Sequence, residues 1–339
     1  LGTPNACNNC HRDKPPEWAV KKLENWSGQP SKGFQRYAPA LYAERSDQSA
    51  AGAELAALIR DTGTPDIVRA TALSRFGRHL SAQTIDAFTA GLADDNPIVR
   101  HASVQSLEYV PLAARVKLAF PLLNDPVRAV RIEAARVLAA IPEGDLAKDQ
   151  VAQMTKGLQE YIRAQQAMAE RPEAQTNLGN LYAARGKFDE AVAAYQAAVG
   201  LDAAYVPGYV NLADLYRATG KESESELQLR RAAAAAPDNA DVHHALGLAL
   251  VRQKRMDEAL QELRLAATLS PRNAHYIYVY AVALNSTGQS EQAILVLQGA
   301  HNAHPDNEAI LRALVAFHRD SGNQSAARSY AEKLHAISP

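Results

Sequence analysis

Four glycines constrain the fold of this chain more tightly than any other feature. Gly186, Gly220, Gly288 and Gly322 fall on a grid of 34 residues, with Lys254 at the one grid point that lacks glycine. The same grid carries Pro237, Pro271, Pro305 and Pro339, with Ala203 as its departure. A period of this length is one supersecondary unit repeated along the chain. Apolar residues inside each period follow helical spacing, so each unit reads as a pair of helices. The glycine ends the first helix in a left-handed conformation. The proline stops the second helix before the next unit begins. On this reading five units run from residue 172 to residue 339.

The residues inside the units resemble the tetratricopeptide repeat. The first unit shows it best, with Leu178-Gly179, Tyr182, Gly186, Ala191, Tyr195 and Ala198. Later units echo it with Leu212-Ala213 and Tyr216, with Leu246-Gly247, Leu250, Ala259 and Ala266, and with Ala281, Leu284, Ala293 and Ala300. The resemblance implies that small residues let the two helices of a unit approach closely. It also implies that the first helices line a groove. Groove positions by register include Asn180, Asp214, Arg217, His244, Tyr278, Asn285, Arg312 and Arg319, a mixed polar surface suited to a protein partner and equally compatible with an ordinary solvated face. Some arrays of this family grip a peptide carboxylate with two asparagines and several cations. Asn180 and Asn211 stand where those asparagines would, but Thr176, Asp241 and Ala245 occupy the cationic places. Without the charge-assisted bonds that clamp is excluded. Tyr276, Tyr278 and Tyr280 alternate as in a strand, yet the register assigns them to a first helix.

A second, shorter period precedes the first. Val68-Arg69, Val99-Arg100 and Val130-Arg131 recur at a spacing of 31. Equivalent positions are small at Ala72, Ser103 and Ala134, and large at Phe76, Leu107 and Leu138. Thr64-Pro65-Asp66, Asn96-Pro97-Ile98 and Asp125-Pro126-Val127 come before the pairs, and proline in that place is expected to begin a helix. Asp94, Asp95 and Asp125 read as caps for free N–H groups. These residues resemble short HEAT-like repeats. Asp149 to Glu170 reads as a linking helix, with Val151, Met154, Leu158 and Ile162 on one side.

The first 48 residues match neither period. Pro4, Pro15, Pro16, Pro30 and Pro39, with Gly28 and Gly33 between them, predict an irregular leader. Glu17 to Trp26 is the exception, a short amphipathic helix with Trp18, Val20, Leu23 and Trp26 on its apolar side. Both cysteines of the chain lie in this leader, within Cys7-Asn8-Asn9-Cys10-His11. Cys-x-x-Cys-His is the attachment signature of a c-type haem. The thiols add to the haem vinyl groups and the imidazole becomes the proximal iron ligand. Three other readings remain: a zinc site, which needs about four ligands; a redox pair, which belongs in a βαβ unit; and incidental free thiols. The two tryptophans suit either a haem face or a staple onto the next helical layer.

The segment Gly2-Thr3-Pro4-Asn5-Ala6-Cys7-Asn8-Asn9-Cys10-His11, with Trp18-Ala19 shortly after, resembles the last haem segment of multihaem c-type cytochromes that end in tetratricopeptide repeats. That family carries further haem motifs upstream, and none is present here. The resemblance implies a periplasmic, electron-transferring protein of which this chain is the C-terminal portion. The start at Leu1 fits a mature chain or such a portion. It also implies that the distal iron ligand is supplied by the upstream region. Within this chain His79 and His101 are the next histidines, and both read as surface or capping residues. Met154, Met168 and Met256 read as packing residues. His243-His244 and the pair His301 and His304 invite a metal reading, but no carboxylate joins them at ligand spacing.

With 47% apolar residues the chain has material for real cores, and 6% aromatics favours close-packed helices. A net charge of −1 gives no basic footprint for nucleic acid. No apolar run is long enough to span a bilayer. No triad, phosphate loop or paired-carboxylate site stands out. The expected fold is an all-α solenoid: a haem-attachment segment at 1–48, HEAT-like repeats at 49–145, then a linking helix and tetratricopeptide repeats at 146–339. The expected function is a periplasmic cytochrome part. Haem c at Cys7, Cys10 and His11 exchanges electrons with a redox partner, and the repeats dock a protein. Expression in the cytoplasm would leave the haem out. The alternative is a haem-free interaction scaffold. A third reading, a reductase with an open haem, would need a polar distal pocket that nothing in the chain supplies.

Overall fold

The computed structural model describes residues 6–28, 37–45, 50–79, 81 and 84–337, and every regular element among them is helical. Gly2 to Asn5, Pro30, Gly33 and Pro339 lie outside the described residues. Backbone contacts divide the chain into Leu1–Arg163 and Ala164–Pro339.

The first unit holds α1 (Ala6–Cys10), α2 (Pro16–Ser27), α3 (Ala38–Arg45), α4 (Ala51–Arg60), α5 (Asp66–Phe76), α6 (Ile85–Leu92), α7 (Pro97–Ser106), α8 (Leu112–Ala119), α9 (Arg128–Leu138) and most of α10 (Lys148–Gln166). The leader is therefore more helical than its prolines suggest, because Pro16 and Pro39 fall in the first turns of α2 and α3, where proline is tolerated. Helices α4/α5, α6/α7 and α8/α9 pack in pairs, and α5, α7 and α9 pack in succession. The 31-residue positions form their shared core. Val99 and Val130, Ala72, Ser103 and Ala134, and Phe76, Leu107 and Leu138 are all fully buried. Pro97 begins α7 as expected, whereas α9 starts only at Arg128, two residues past Pro126. Helix α10 stops at Gln166, short of Glu170. The approach to Pro172 explains this, since Arg171 is extended at φ −101° and ψ 131° as a residue before proline prefers to be.

The arginines after the buried valines form a ladder. Arg69 reaches Asp66 at 2.6 Å and Asp94 at 3.2 Å. Arg100 grips Asp125 through Nε at 2.7 Å and Nη2 at 3.0 Å, and donates backward to the Asp94 carbonyl at 2.8 Å. Arg131 holds Glu160 of α10 at 3.1 Å and the Asp125 carbonyl at 2.8 Å. Asp94 and Asp125 do accept from the amides of Asn96 and Val127. Their larger task is to take the arginine of the preceding repeat.

The second unit holds α11 (Pro172–Ala184), α12 (Phe188–Leu201), α13 (Val206–Ala218), α14 (Glu222–Ala235), α15 (Ala240–Arg252), α16 (Met256–Leu269), α17 (Ala274–Ser286), α18 (Ser290–Ala303), α19 (Glu308–Asp320) and α20 (Gln324–Ile337). They pack as five successive pairs. The grid glycines end the first helices with positive φ, and Lys254 takes the same conformation at φ 61°. It is the only non-glycine residue described with positive φ. Close approach within a pair depends on small residues. A Cβ on Gly179 would lie 2.4 Å from the Tyr195 ring, and one on Gly247 would lie 2.7 Å from Leu263. Asn239, Asn273 and Asn307 also share the 34-residue grid, and their side chains cap α15, α17 and α19.

Candidate functional site

Two regions carry the residues singled out from the sequence. The first is the turn of α1. The His11 amide donates to the Cys7 carbonyl at 2.9 Å, which continues the helical pattern through the histidine. Cys7, Cys10 and His11 thus stand at i, i+3 and i+4, on one side of a single turn. Asn8 Nδ2 donates to the Lys14 carbonyl at 2.6 Å and closes the loop that follows. Both thiols are free, with Cys7 half-buried and Cys10 exposed. The His11 ring lies 4.7 Å from Trp18 of α2, tilted by 52°. The rest of the expected apolar side of α2 is uncovered: Val20 and Leu23 are exposed and Trp26 is 77% exposed, while Ala19 beside Trp18 is buried.

This donor set fits a covalently held haem, which takes two thiols at the porphyrin edge and one imidazole at the iron. Zinc would need a convergent set, and among the described residues no three His, Cys, Asp or Glu side chains are grouped to hold a metal ion. His79 packs against α4 near Gly52, and His101 is half-buried in α7. Met154 is fully buried and Met256 packs on a core cluster, but Met168 is 40% exposed beyond the end of α10.

The second region is the row of first helices, α11 to α19. Asn180 is exposed, and its Oδ1 accepts from the Tyr195 hydroxyl at 2.7 Å and from Asn211 Nδ2 at 3.1 Å. The two asparagines thus bind each other. Burial, reinforced by the charge of Asp214, pushes the Tyr195 phenol up to about 12. Asp214 and Arg217 are exposed and face each other at 3.5 Å. Arg312 holds Glu308 at 2.8 Å, and Arg319 stands 3.8 Å from Asp320. Tyr278 and Asn285 are half-buried.

His244 departs from its expected groove position, because only 9% of it is exposed. It stacks on Tyr276 at 4.5 Å and meets His275 edge-on at 5.2 Å. Burial first, then the neighbouring His275, lowers its pKa against the pull of Asp241. Tyr276 donates to Asp241 across α15 and α17, and burial together with that carboxylate pushes its phenol up to about 12. Beside it Asp241 and His275 are exposed and Tyr276 is half-buried. The register held a signal for them, since Tyr276 stands one residue past the 34-residue equivalent of Asp241. His301 and His304 do not form a pair either. His301 Nε2 lies 3.2 Å from Lys333 of α20.

Family models agree with both periods. The model described as HEAT repeats matches residues 85–169. Models described as TPR repeat and tetratricopeptide repeat match residues 179–220, 210–274 and 250–317. The chain therefore carries HEAT-like and tetratricopeptide repeats. No curated protein matches it. Among solved structures, a crystal structure of MamA is similar over 47% of this chain and 94% of its own, at 20% identity and a TM-score of 0.43. YrrB, a TPR protein with an unusual peptide-binding site, is similar over 52% of this chain and 91% of its own, at 20% identity and a TM-score of 0.44. A further structure, MamA MSR-1, is 26% identical over 49% of this chain and 95% of its own, with a TM-score of 0.40.

Proposed function

We propose that this chain is an interaction scaffold whose tetratricopeptide array holds a protein partner along its first helices. The observation that carries this reading is the pairing of the charges on that face. Asp214 with Arg217, Arg312 with Glu308 and Arg319 with Asp320 neutralise each other inside the array. What remains to meet a partner is amide and aromatic surface at Asn180, His275, Tyr276, Tyr278 and Asn285, with the Asp241 carboxylate bonded to the Tyr276 hydroxyl. Paired surface charges select against charged competitors more than they add affinity. The test is partner co-purification with paired charge insertions. Tyr278→Glu with Asn180→Glu should abolish capture. Leu227→Glu with Leu295→Glu, both exposed on second helices, should leave it intact. Equal loss from both pairs would refute the groove.

One observation favours a second reading alongside the first: Cys7, Cys10 and His11 share one side of a turn with both thiols free. In this reading Cys7 and Cys10 hold a haem through thioether bonds. Each S–H would add across a haem vinyl group, forming a C–S bond with the proton going to carbon, so that no oxidant would be consumed. His11 would hold the haem iron, with the Trp18 ring 4.7 Å from its imidazole. A haem held there would supply one-electron transfer at its iron to a redox partner. The scaffold would then work in the periplasm, beside the other haem segments of a longer cytochrome. Protein made in a haem-attaching periplasm should retain its absorbance through acid–acetone extraction. A chain with two titratable thiols and no retained haem would end this reading and leave the scaffold standing.

A further inference from the structure

Helix α20 closes the second array with little apolar anchorage, since Ala327 is its one fully buried residue. Ala326, Tyr330 and Leu334 are half-buried, and Lys333 adds a polar hold. Tyr330 is flanked by two histidines, His318 stacked at 5.6 Å and 9°, and His301 edge-on at 5.6 Å and 83°. Lys333 lies 5.1 Å from the Tyr330 ring and 3.2 Å from His301 Nε2. An ammonium group only donates, so Nε2 must be the accepting nitrogen and His301 must be neutral, with its proton on Nδ1. Nδ1 is buried without a partner.

We propose that His301 is an acid-sensitive latch for α20, holding the helix through Lys333 while neutral and releasing it when protonated. A proton on Nε2 removes the acceptor that His301 offers Lys333 and sets two cations in contact. Lys333 then turns to solvent and gives up its place over Tyr330. The groups around the ring are His304 and Asp306 at the end of α18, His318 of α19, and Tyr330 and Lys333 of α20. Both nitrogens of His318 and Nε2 of His304 are buried and unpartnered, so Asp306 is the one group in this set that favours an imidazolium. Burial, and then Lys333, outweigh it and lower the pKa of His301. The folded form binds its proton less readily than the free chain. Docking of α20 is therefore complete above the ordinary histidine value of about 6.5 and weakens as pH falls below it.

Hydrogen exchange of the whole chain tests this, read as protection factors at about pH 7.5 and about pH 5. Protection of α20 should fall at the lower pH while α11 to α16 stay protected. His301→Gln keeps an acceptor for Lys333 and cannot be protonated, so α20 should stay protected at both values. Lys333→Met should lower α20 protection at neutral pH and shrink its pH dependence. Equal protection of α20 at both values in the native chain would overturn the proposal. So would a pH dependence that survives in His301→Gln or, if that variant does not fold, one undiminished in Lys333→Met.

Discussion

In the first array each repeat reaches the next through charge. Arg69, Arg100 and Arg131 cross to Asp94, Asp125 and Glu160, and the Arg100–Asp125 pair is nearly dry. In the second array the helices of a repeat meet through shape, and the charges that cross between repeats, Arg255 to Glu226 and Arg230 to Glu258, are more exposed than the Arg100–Asp125 pair. Gly179 and Gly247 admit a ring and a leucine where a methyl group would collide, and a left-handed residue ends each first helix. Both arrays have the same task, since a two-helix unit cannot bury its own apolar face. A paired charge has to be kept paired, whereas a close approach only has to be kept small. The two arrays should therefore fail under different insults.

The largest effect should come from breaking the ladder. Arg100→Ala leaves Asp125 buried and unpaired, and should destabilise the first array by about 3–5 kcal/mol in denaturant melts followed by hydrogen exchange. The second array should keep its protection, and joint loss would refute two independent modes of cohesion. Gly179→Ala should cost the second array about 1–3 kcal/mol, because the Tyr195 ring must move off its rotamer. Acid should separate the arrays in order. Burial lowers the histidines His244 and His301, so the second array begins to lose stability as pH falls below about 6.5. Arg69 and Asn96 hold the Asp66 carboxyl below its ordinary range, and at Asp125 the bonds from Arg100 and the Val127 amide outweigh the opposing effect of burial. Their contribution is complete above about pH 4 and is lost as pH falls through lower values. Simultaneous loss of both arrays in a pH series of hydrogen exchange would contradict this order. Lys254→Gly should raise the stability of the second array by about 1 kcal/mol, since a left-handed lysine is strained and a glycine is not. The smallest effect belongs to the leader. Cys7→Ala with Cys10→Ala should leave the helical circular dichroism and the melting of both arrays unchanged.

Sequence alone made the repeats legible because each repeating position has a steric reason to recur. Gly186 and its equivalents, Val99 and Val130, and Phe76, Leu107 and Leu138 all behave in the structure as their spacing requires. The ladder was half legible. The arginines recur at 31, but their acids lie 25 or 29 residues further on and read locally as helix caps. The asparagine caps shared the grid and were hidden behind the more conspicuous prolines. The groove was legible as a register but not in depth, which is why His244 was expected at the surface and lies beneath Tyr276. Of the cluster around Tyr330 the sequence singled out only His301, and for a different chemistry. Leu250 and Leu284 occupy the His318 position in the two preceding units, and a single polar replacement at a core position leaves no period to detect.

The ladder also bears on how such a chain can change in length. Arg100 gives its charge forward to Asp125 and its remaining N–H groups back to the Asp94 and Asp95 carbonyls. One repeat thus exports one cation and imports one. Duplicating or deleting a 31-residue module leaves every interior charge matched, so this array can be lengthened or shortened by recombination without a compensating mutation. Only the final partner, Glu160 on α10, lies outside the pattern and has to stay where it is.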